Sequence, residues 1–575
     1  MPERIVVLKF GSSVLRSRAD LPAAVHELYR WYREHTRVIA VVSAIGDATE
    51  QLIRQSRELC ATPEPWATAE LLATGERTSA ALLGVALDRA GIPARVVNPR
   101  EIGLEVRGAP LDGEPFRINP KHIEELLAEY PVLVVPGFFG TDASGRTQLL
   151  GRGGSDLTAV FLAVSLGAER CRLVKDRDGV YESDPAVEHS HPKRFATLNY
   201  SDALKVAGKL IQPKAVAFLE RHQAQAEVAA LSCSYQTVVH GGSTEIGGSI
   251  PSQRCDVVLL GLGTVGFGVY QRLMSFPEHF RVLGALVRDP EKHKAAGVPS
   301  ELLHTSPETL RTLRPTLVVD ALPGDGPSGP LVESYLTQGI DLVSANKALL
   351  ADRGVALAGV ARASVATLRY AAAVGGSTPI LELVSGGRER GELESIVAVL
   401  NGTCNFVLDR CAQGDALERA VAEAQLCGYA EADPSDDLSG RDAERKLRIL
   451  ARKGFDTTLG TVPIQALTEN VAQQAHEAAR AGLKLRQIAR ICRKGSRIVA
   501  GVEFETVERK SLFGALVGEW NALEVKYASG EVIAMRGRGA GRWPTTEAIV
   551  GDVFDVMRIR ARAKMSSKPG QGRDD

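Results

Sequence analysis

Residues 256–273 read DVVLLGLGTVGFGVYQRL, and this stretch decides the fold of the second half of the chain. An apolar run leads into Gly261, Gly263 and Gly266, and apolar residues at helical spacing follow. Gly261 permits the tight turn, Gly263 lets the backbone approach a pyrophosphate, and Gly266 allows close helix–strand packing. Thr264 and Val265 lie at the start of the helix, whose N-terminus faces the anion. Strand, glycine turn and helix in that order predict a Rossmann dinucleotide-binding unit. The following strand, RVLGALVRDP, ends at Arg288 and Asp289. A carboxylate at that place holds a ribose 2′-hydroxyl, whereas an arginine accepts a 2′-phosphate. Arg288 therefore favours NADP over NAD.

Outward from that turn, short β-rich runs alternate with helical patterns. IVVLKF at 5–10, VIAVVSA at 38–44, ARVVN at 94–98 and VLVVPGF at 132–138 read as buried strands. LPAAVHELYRWYREH at 21–35 reads as a helix. The alternation predicts parallel α/β sheets. At roughly 100–200 residues per domain, 575 residues suggest three or four domains. The stretch HGGSTEIGGSIPSQR at 240–254 is glycine-rich and polar and reads as a linker. The polar end, SSKPGQGRDD, reads as a frayed tail.

Lysine plus arginine number 69, and so do aspartate plus glutamate. This balance gives no support for nucleic-acid or membrane-surface binding and fits an enzyme of small molecules. Eight cysteines are scattered without a CxxC pair or zinc-ligand spacing, which predicts free thiols in a reducing cytoplasm. No secretory leader and no run long enough to cross a membrane are present, so a cytoplasmic chain is expected.

The first half opens on IVVLKFGSSVL, a strand ending in Lys9, then Gly11, Ser12 and Ser13 at the start of a helix. Small residues let backbone N–H groups approach a phosphate, and a lysine adds positive charge. GxxxxGK[ST] is absent, so this is not a Walker A loop. In the second half, Asp442 and Lys446 are four positions apart and share one face of a helix.

Several separated motifs of residues 254–560 resemble homoserine dehydrogenase. They are LVSANKALL, AAAVGGSTPI, LNGTCNF, GYAEADPSDDLSGRDAERKL and GRGAGRWPT, in that order. The resemblance implies Lys446 and Lys347 as acid–base groups, with Lys347 also at the cofactor. It implies Glu431, Asp437 and Asp442 on the amino group and hydroxyl of the substrate or on the lysine. Tyr429 and Thr403 would line the pocket, and Gly541 would belong to the segment returning to the cofactor. It also implies a Na+ or K+ ion on the backbone of Val374, Gly376 and Thr378, and a homodimer or larger homo-oligomer.

Residues 4–245 resemble aspartokinase, of the amino-acid kinase fold. The motifs are VVSAIGDATEQL, LLATGERTSAALL, GRTQLLGRGGSDLTAVFLA, VKDRDGVYESDP and GKLIQPKA. The resemblance implies Lys9 and Lys209 as cations on the transferring phosphate, with Gly11 in the backbone cradle. Ser43, Glu76, Arg152, Ser155 and Asp156 would hold aspartate. Asp176, Tyr181 and Asp184 would lie near ATP, which brings Mg2+. The chain departs from the family pattern where Lys175 replaces a threonine and Gln212 a histidine. No ACT domain fits between the halves, so feedback by threonine or lysine through such domains is expected to be absent.

The expected architecture is α/β throughout: an amino-acid-kinase-type αβα sandwich at 1–245 and a linker at 246–254. A Rossmann domain follows at 255–348, then an inserted α+β catalytic and dimerisation domain at 349–535. A return segment at 536–562 and a tail at 563–575 complete it. The two resemblances imply phosphorylation of aspartate by ATP and interconversion of aspartate semialdehyde and homoserine with NAD(P)H. A dehydrogenase fused to a non-catalytic kinase-like module, or an enzyme of another amino acid or semialdehyde, remains the alternative.

Overall fold

A computed structural model describes residues 4–184, 192–206, 210–233, 235–247, 254–324, 328–385, 391–431 and 433–566. The chain forms two units, Met1–Arg89 with Pro93–Pro251, and Ala90–Ile92 with Ser252–Asp575.

In the first unit the apolar runs become parallel neighbours. Ile5–Phe10 lies between Arg37–Val42 and Arg170–Lys175, and Val132–Pro136 pairs beyond Arg37–Val42. They belong to a nine-stranded sheet. Val7, Ile39, Val41, Leu133, Val135 and Leu173 join one core with side chains of Pro120–Glu129, Gly154–Ser165 and Pro213–Arg221. The alternate residues Val6, Leu8, Val38, Ala40 and Val134 are equally buried. Both faces of the sheet are covered, which is why these strands read as continuous apolar runs rather than alternating ones. Each buried valine, leucine or isoleucine here contributes about 1.5–3 kcal/mol by leaving water. The carboxyl ends of these strands gather Lys9, Ser43, Gly137 and Lys175 at one rim.

Two expectations need correction here. ARVVN forms only the short strand Ala94–Val96 at the edge of the sheet, with Val96 41% exposed. The stretch from 240 is not simply a linker. Thr237–His240 and Glu245–Ile246 are both strands, the latter antiparallel to Phe195–Asn199 at the other edge. Residues 248–253 lie outside the described residues.

In the second unit six parallel strands run in the order Leu303–His304, Phe280–Leu286, Cys255–Leu260, Leu317–Asp320, Asp341–Ser344, Leu368–Arg369. The strand order reverses at Cys255–Leu260, so the glycine turn stands at the switch point where such sheets bind ligands. The sixth strand lies beyond residue 348, and the helix Lys347–Ala363 leads into it, so the sheet runs past the border expected there.

A five-stranded antiparallel sheet follows, in the order Arg497–Glu508, Leu483–Lys494, Leu393–Val399, Trp520–Tyr527, Val532–Arg538. Gly402–Cys411, Arg441–Phe455 and Glu469–Arg480 pack on it. The last helix, Arg542–Ser566, returns to Thr264–Met274. There buried Glu547 pairs with Arg272, and the Phe554 ring lies 5.3 Å from Phe276 and 4.9 Å from Phe280. This helix extends to Ser566, past the expected start of a tail at 563, and residues 567–575 lie outside the described residues.

Candidate active sites

In the glycine turn, Gly261 has φ +94°, a left-handed conformation that favours glycine. A Cβ on Gly266 would stand 2.0 Å from the Gly261 carbonyl oxygen, whereas a Cβ on Gly263 would meet nothing within 4 Å. Gly266 is thus required by packing. Gly263 borders open space at the start of the helix Thr264–Met274, with Thr264 and Val265 in its first turn, where backbone N–H groups can face an anion. At the next strand end Arg288 is exposed. Asp289 caps a helix instead, its Oδ1 accepting the Lys292 N–H at 3.2 Å.

Asn346 caps the helix that Lys347 begins, accepting the Leu349 N–H at 3.2 Å. That start aims Lys347 at Asp442, on the helix Arg441–Phe455. Asp442 accepts from Lys347 with Oδ1 and lies 2.7 Å from the Lys446 ammonium with Oδ2. Lys446 also donates to the Leu400 carbonyl at 2.6 Å. Asp442 and Lys446 are each 5% exposed, so this spacing is a buried pair and not the surface salt bridge that a lone Asp/Lys pair usually makes. Burial alone would raise the Asp442 carboxyl, but Lys446 and Lys347 outweigh it and hold it low. Burial, with Lys347 nearby, lowers Lys446, while Asp442 raises Lys347.

Asn401 ties the acids together, donating to Asp437 Oδ1 at 2.6 Å and to Asp442 Oδ2 at 3.0 Å. Burial, then the charge of Asp442, raises the Asp437 carboxyl. Glu431 is exposed but close enough to Lys347 to support its charge. The Thr403 hydroxyl donates to the Tyr429 carbonyl at 2.6 Å, so it anchors the loop that presents the Tyr429 ring, which packs on Phe406 at 4.7 Å. Sequence reasoning passed over Asn401 although LNGTCNF contains it. It also passed over Asp320, a strand-end carboxyl that burial pushes up to about 6 and that Ser344 holds at 2.9 Å.

Val374 and Gly376 lie in a turn in which Gly376 has φ +56°. The Thr378 carbonyl already accepts the Ile380 N–H at 2.7 Å, and the Thr378 hydroxyl is buried without a hydrogen-bond partner. Gly541 also has positive φ, +104°, one residue before the final helix.

In the first unit the Lys9 ammonium lies 2.7 Å from Asp156 Oδ1. Lys175 lies 3.1 Å from Oδ2 of the same carboxylate. Burial would raise Asp156, yet Lys9 and Lys175 hold it at about 2. Asp156 sits in the first turn of Gly154–Ser165, which starts after Gly153 at φ +77°. A Cβ on Gly11 would come 2.8 Å from the Lys9 ammonium, so that glycine leaves the lysine its place.

Buried Glu76 accepts the Ala44 N–H at 3.1 Å with one oxygen, and its other oxygen has no partner. Burial pushes its carboxyl up to about 7. Ser43 is held by the Phe10 carbonyl, and buried Ser155 leaves no room for a side chain at Gly137. Arg152, Asp176 and Asp184 are exposed, and the half-buried Tyr181 gives its hydroxyl to Asp178 at 2.7 Å. Lys209 lies outside the described residues. Sequence reasoning placed Lys175 among departures and did not foresee its pairing with Asp156.

Fold and site together define a Rossmann dinucleotide-binding module with its own α+β domain, carried on one chain with an amino-acid-kinase-type unit. A homoserine dehydrogenase NAD-binding domain model matches residues 261–371, a homoserine dehydrogenase model matches 379–554, and an amino acid kinase family model matches 4–230. The chain belongs to the homoserine dehydrogenase family. It is 30% identical over 317 residues to a homoserine dehydrogenase of Bacillus subtilis, spanning 52% of this chain and 72% of that protein. It is 34% identical over 224 residues to an aspartokinase of Thermus thermophilus, spanning 38% of this chain and 54% of that protein. The chain thus covers about half the length of that relative. A solved homoserine dehydrogenase from Thiobacillus denitrificans aligns with TM-score 0.52 and 30% identity, over 55% of this chain and 76% of that one. No described helix is long and apolar enough to cross a membrane.

Proposed function

We propose that this chain is a bifunctional enzyme of the aspartate pathway. Its second unit interconverts L-aspartate 4-semialdehyde and L-homoserine with NAD(P)H. Its first unit phosphorylates L-aspartate with ATP to 4-phospho-L-aspartate. The observation that carries this reading is a buried carboxylate holding lysines in each unit, Asp442 with Lys446 and Lys347, and Asp156 with Lys9.

In the second unit the bound nicotinamide supplies or accepts the hydride. Lys446, lowered by burial, gives a proton to the aldehyde oxygen as the carbonyl carbon becomes an alcohol, and takes it back in the oxidation. Lys347, held charged by Asp442, stands as a fixed cation beside it. Glu431 and Asp437 carry negative charge towards the substrate's amino group. Arg288 supports NADP, and Asp289 gives one carboxylate oxygen to its helix cap. For a Na+ or K+ ion the turn offers the carbonyls of Val374 and Gly376, with Thr378 O already engaged.

In the first unit a carboxylate oxygen of aspartate forms the new P–O bond while the bond to the departing diphosphate breaks. No proton is exchanged, so fixed cations and backbone donors suffice. Lys9 faces the phosphate and Glu76 the substrate's ammonium. Mg2+ enters this reading as the partner of the ATP phosphates. A homodimer through the antiparallel sheet and a cytoplasmic location complete the reading.

The test is a pair of assays on purified protein: ATP-dependent aspartyl hydroxamate formation, and homoserine-dependent NADP reduction. Lys9→Ala should abolish the first and spare the second, and Lys446→Ala the reverse. A wild-type chain that makes no hydroxamate would leave the first unit a non-catalytic module.

A further inference from the structure

Lys175 ends the strand Arg170–Lys175, immediately beside Ile5–Phe10, so it and Lys9 emerge at neighbouring carboxyl ends of one parallel sheet. Lys175 lies 3.3 Å from the Asp156 oxygen that Lys9 binds at 2.7 Å, and 3.1 Å from the other. The two ammonium groups are no farther apart than two hydrogen bonds sharing one oxygen.

All three side chains are buried. A Lys9–Asp156 pair is already neutral. Lys175 adds a second positive charge; among the described residues no second acid comes within ion-pair distance of either lysine, and Asp176 and Glu76 act on Lys175 and Lys9 only from farther away. A buried charge that must share its only contacting carboxylate is costly, and the fold has no need of this one for neutralising Asp156. Such an excess is what a site built for a polyanion requires. Burial, and then the nearby Lys9, pull Lys175 down to about 8, while Asp156 and Asp176 support its charge. Glu76, the next buried carboxyl of this site, is held up at about 7 by burial and accepts a backbone N–H.

We infer that Lys175 is a phosphate-binding residue of the first unit, acting with Lys9 on the terminal phosphate of the bound nucleoside triphosphate. This rests on the kinase reading of that unit. It turns a departure from the aspartokinase pattern into a part of the site.

The experiment uses the full chain. Calorimetric titration compares a non-hydrolysable MgATP analogue with MgADP on wild type, Lys175→Met, Lys175→Thr and Lys175→Arg. In Met and Thr the analogue should bind about tenfold or more weaker while MgADP changes by less than about threefold, since the contact is to the phosphate that ADP lacks. Turnover should fall with the analogue's affinity, KM for aspartate should hold, and arginine should restore most of the preference. Lys9 still neutralises Asp156 in these variants, and thermal unfolding reports whether they fold.

A footprint on wild type is independent of the variants. The MgATP analogue should shield Lys175 from an amine-acylating reagent at pH 8, and MgADP should not. An unchanged preference in folded variants, or equal shielding by both nucleotides, would overturn the inference alone. A wild type that binds neither nucleotide would overturn the kinase reading and the inference with it.

Discussion

Asp442 joins Lys446 to Lys347: one oxygen lies 2.7 Å from the buried Lys446 ammonium, and the other accepts from Lys347. The carboxylate works against the burial that lowers Lys446. Asp442→Asn removes that support, so Lys446 gives up its proton at still lower pH. On the proposed mechanism homoserine oxidation needs Lys446 neutral and should rise with pH through a limb below the ordinary lysine value. In the variant this limb should move to lower pH, and turnover should fall about a hundredfold or more because the lysine is also misplaced. The pH profile of kcat/KM checks this. A limb that stays in place would remove Lys446 from the proton transfer.

Glu76 offers a different signature. Its carboxyl is raised from 4.5 to about 7, foremost by burial, so the folded unit holds this proton more tightly than the unfolded chain. That contribution to stability is present below the ordinary value and is lost as pH rises through 7. Glu76→Gln keeps the neutral form at every pH. It should therefore raise the unfolding temperature of the first unit at pH 8, by a free energy on the order of 3 kcal/mol, and change it little at pH 5. The same variant should lose aspartate affinity, and the wild-type KM for aspartate should climb as pH falls below 7. Calorimetric scans at the two pH values, with KM measured alongside, decide the matter.

The glycine turn separates folding from binding. Gly266→Ala drives a Cβ into the Gly261 carbonyl and should destabilise the second unit by several kcal/mol, enough to lower its unfolding temperature without any cofactor present. Gly263→Ala meets open space and should leave that temperature within about 1 °C, while weakening NADP binding about tenfold by crowding the pyrophosphate. Equal thermal losses in the two variants would contradict this division.

On the proposed reading Arg288 sets the choice of dinucleotide. Because Asp289 is bound to its own helix, Arg288→Ala should raise KM for NADPH about tenfold or more and leave KM for NADH within about twofold. Steady-state kinetics with both cofactors suffice. A parallel loss with NADH would mean that Arg288 supports the turn and does not read the 2′-phosphate.

Much of this molecule was legible because its signals are local. The strand ends at Lys9 and the glycine turn at Gly261 are written in consecutive residues, and the i, i+4 spacing of Asp442 and Lys446 declares a shared helix face. What was not legible depends on pairing between distant segments. Nothing near Lys175 says that its partner is Asp156, and nothing near Asn401 says that it spans Asp437 and Asp442. The strand Glu245–Ile246 reads as linker because its composition is that of a turn, and only its pairing with Phe195–Asn199 makes it part of a sheet. Edge strands are short and half-wetted, so they lack the apolar run that betrays the central ones.

The final helix closes the dinucleotide-binding domain from far along the chain. Arg542 reaches Gln271 across 271 residues, Glu547 meets Arg272, and Phe554 fills the space beside Phe276 and Phe280. A ribosome making this protein has joined all the residues of the first unit before it reaches the glycine turn at Gly261. It must then finish the antiparallel domain before the first helix of the Rossmann domain receives its packing partner. The order of synthesis thus delays completion of the dinucleotide-binding domain until its final helix is made, long after the strands that carry Lys9 and Lys175.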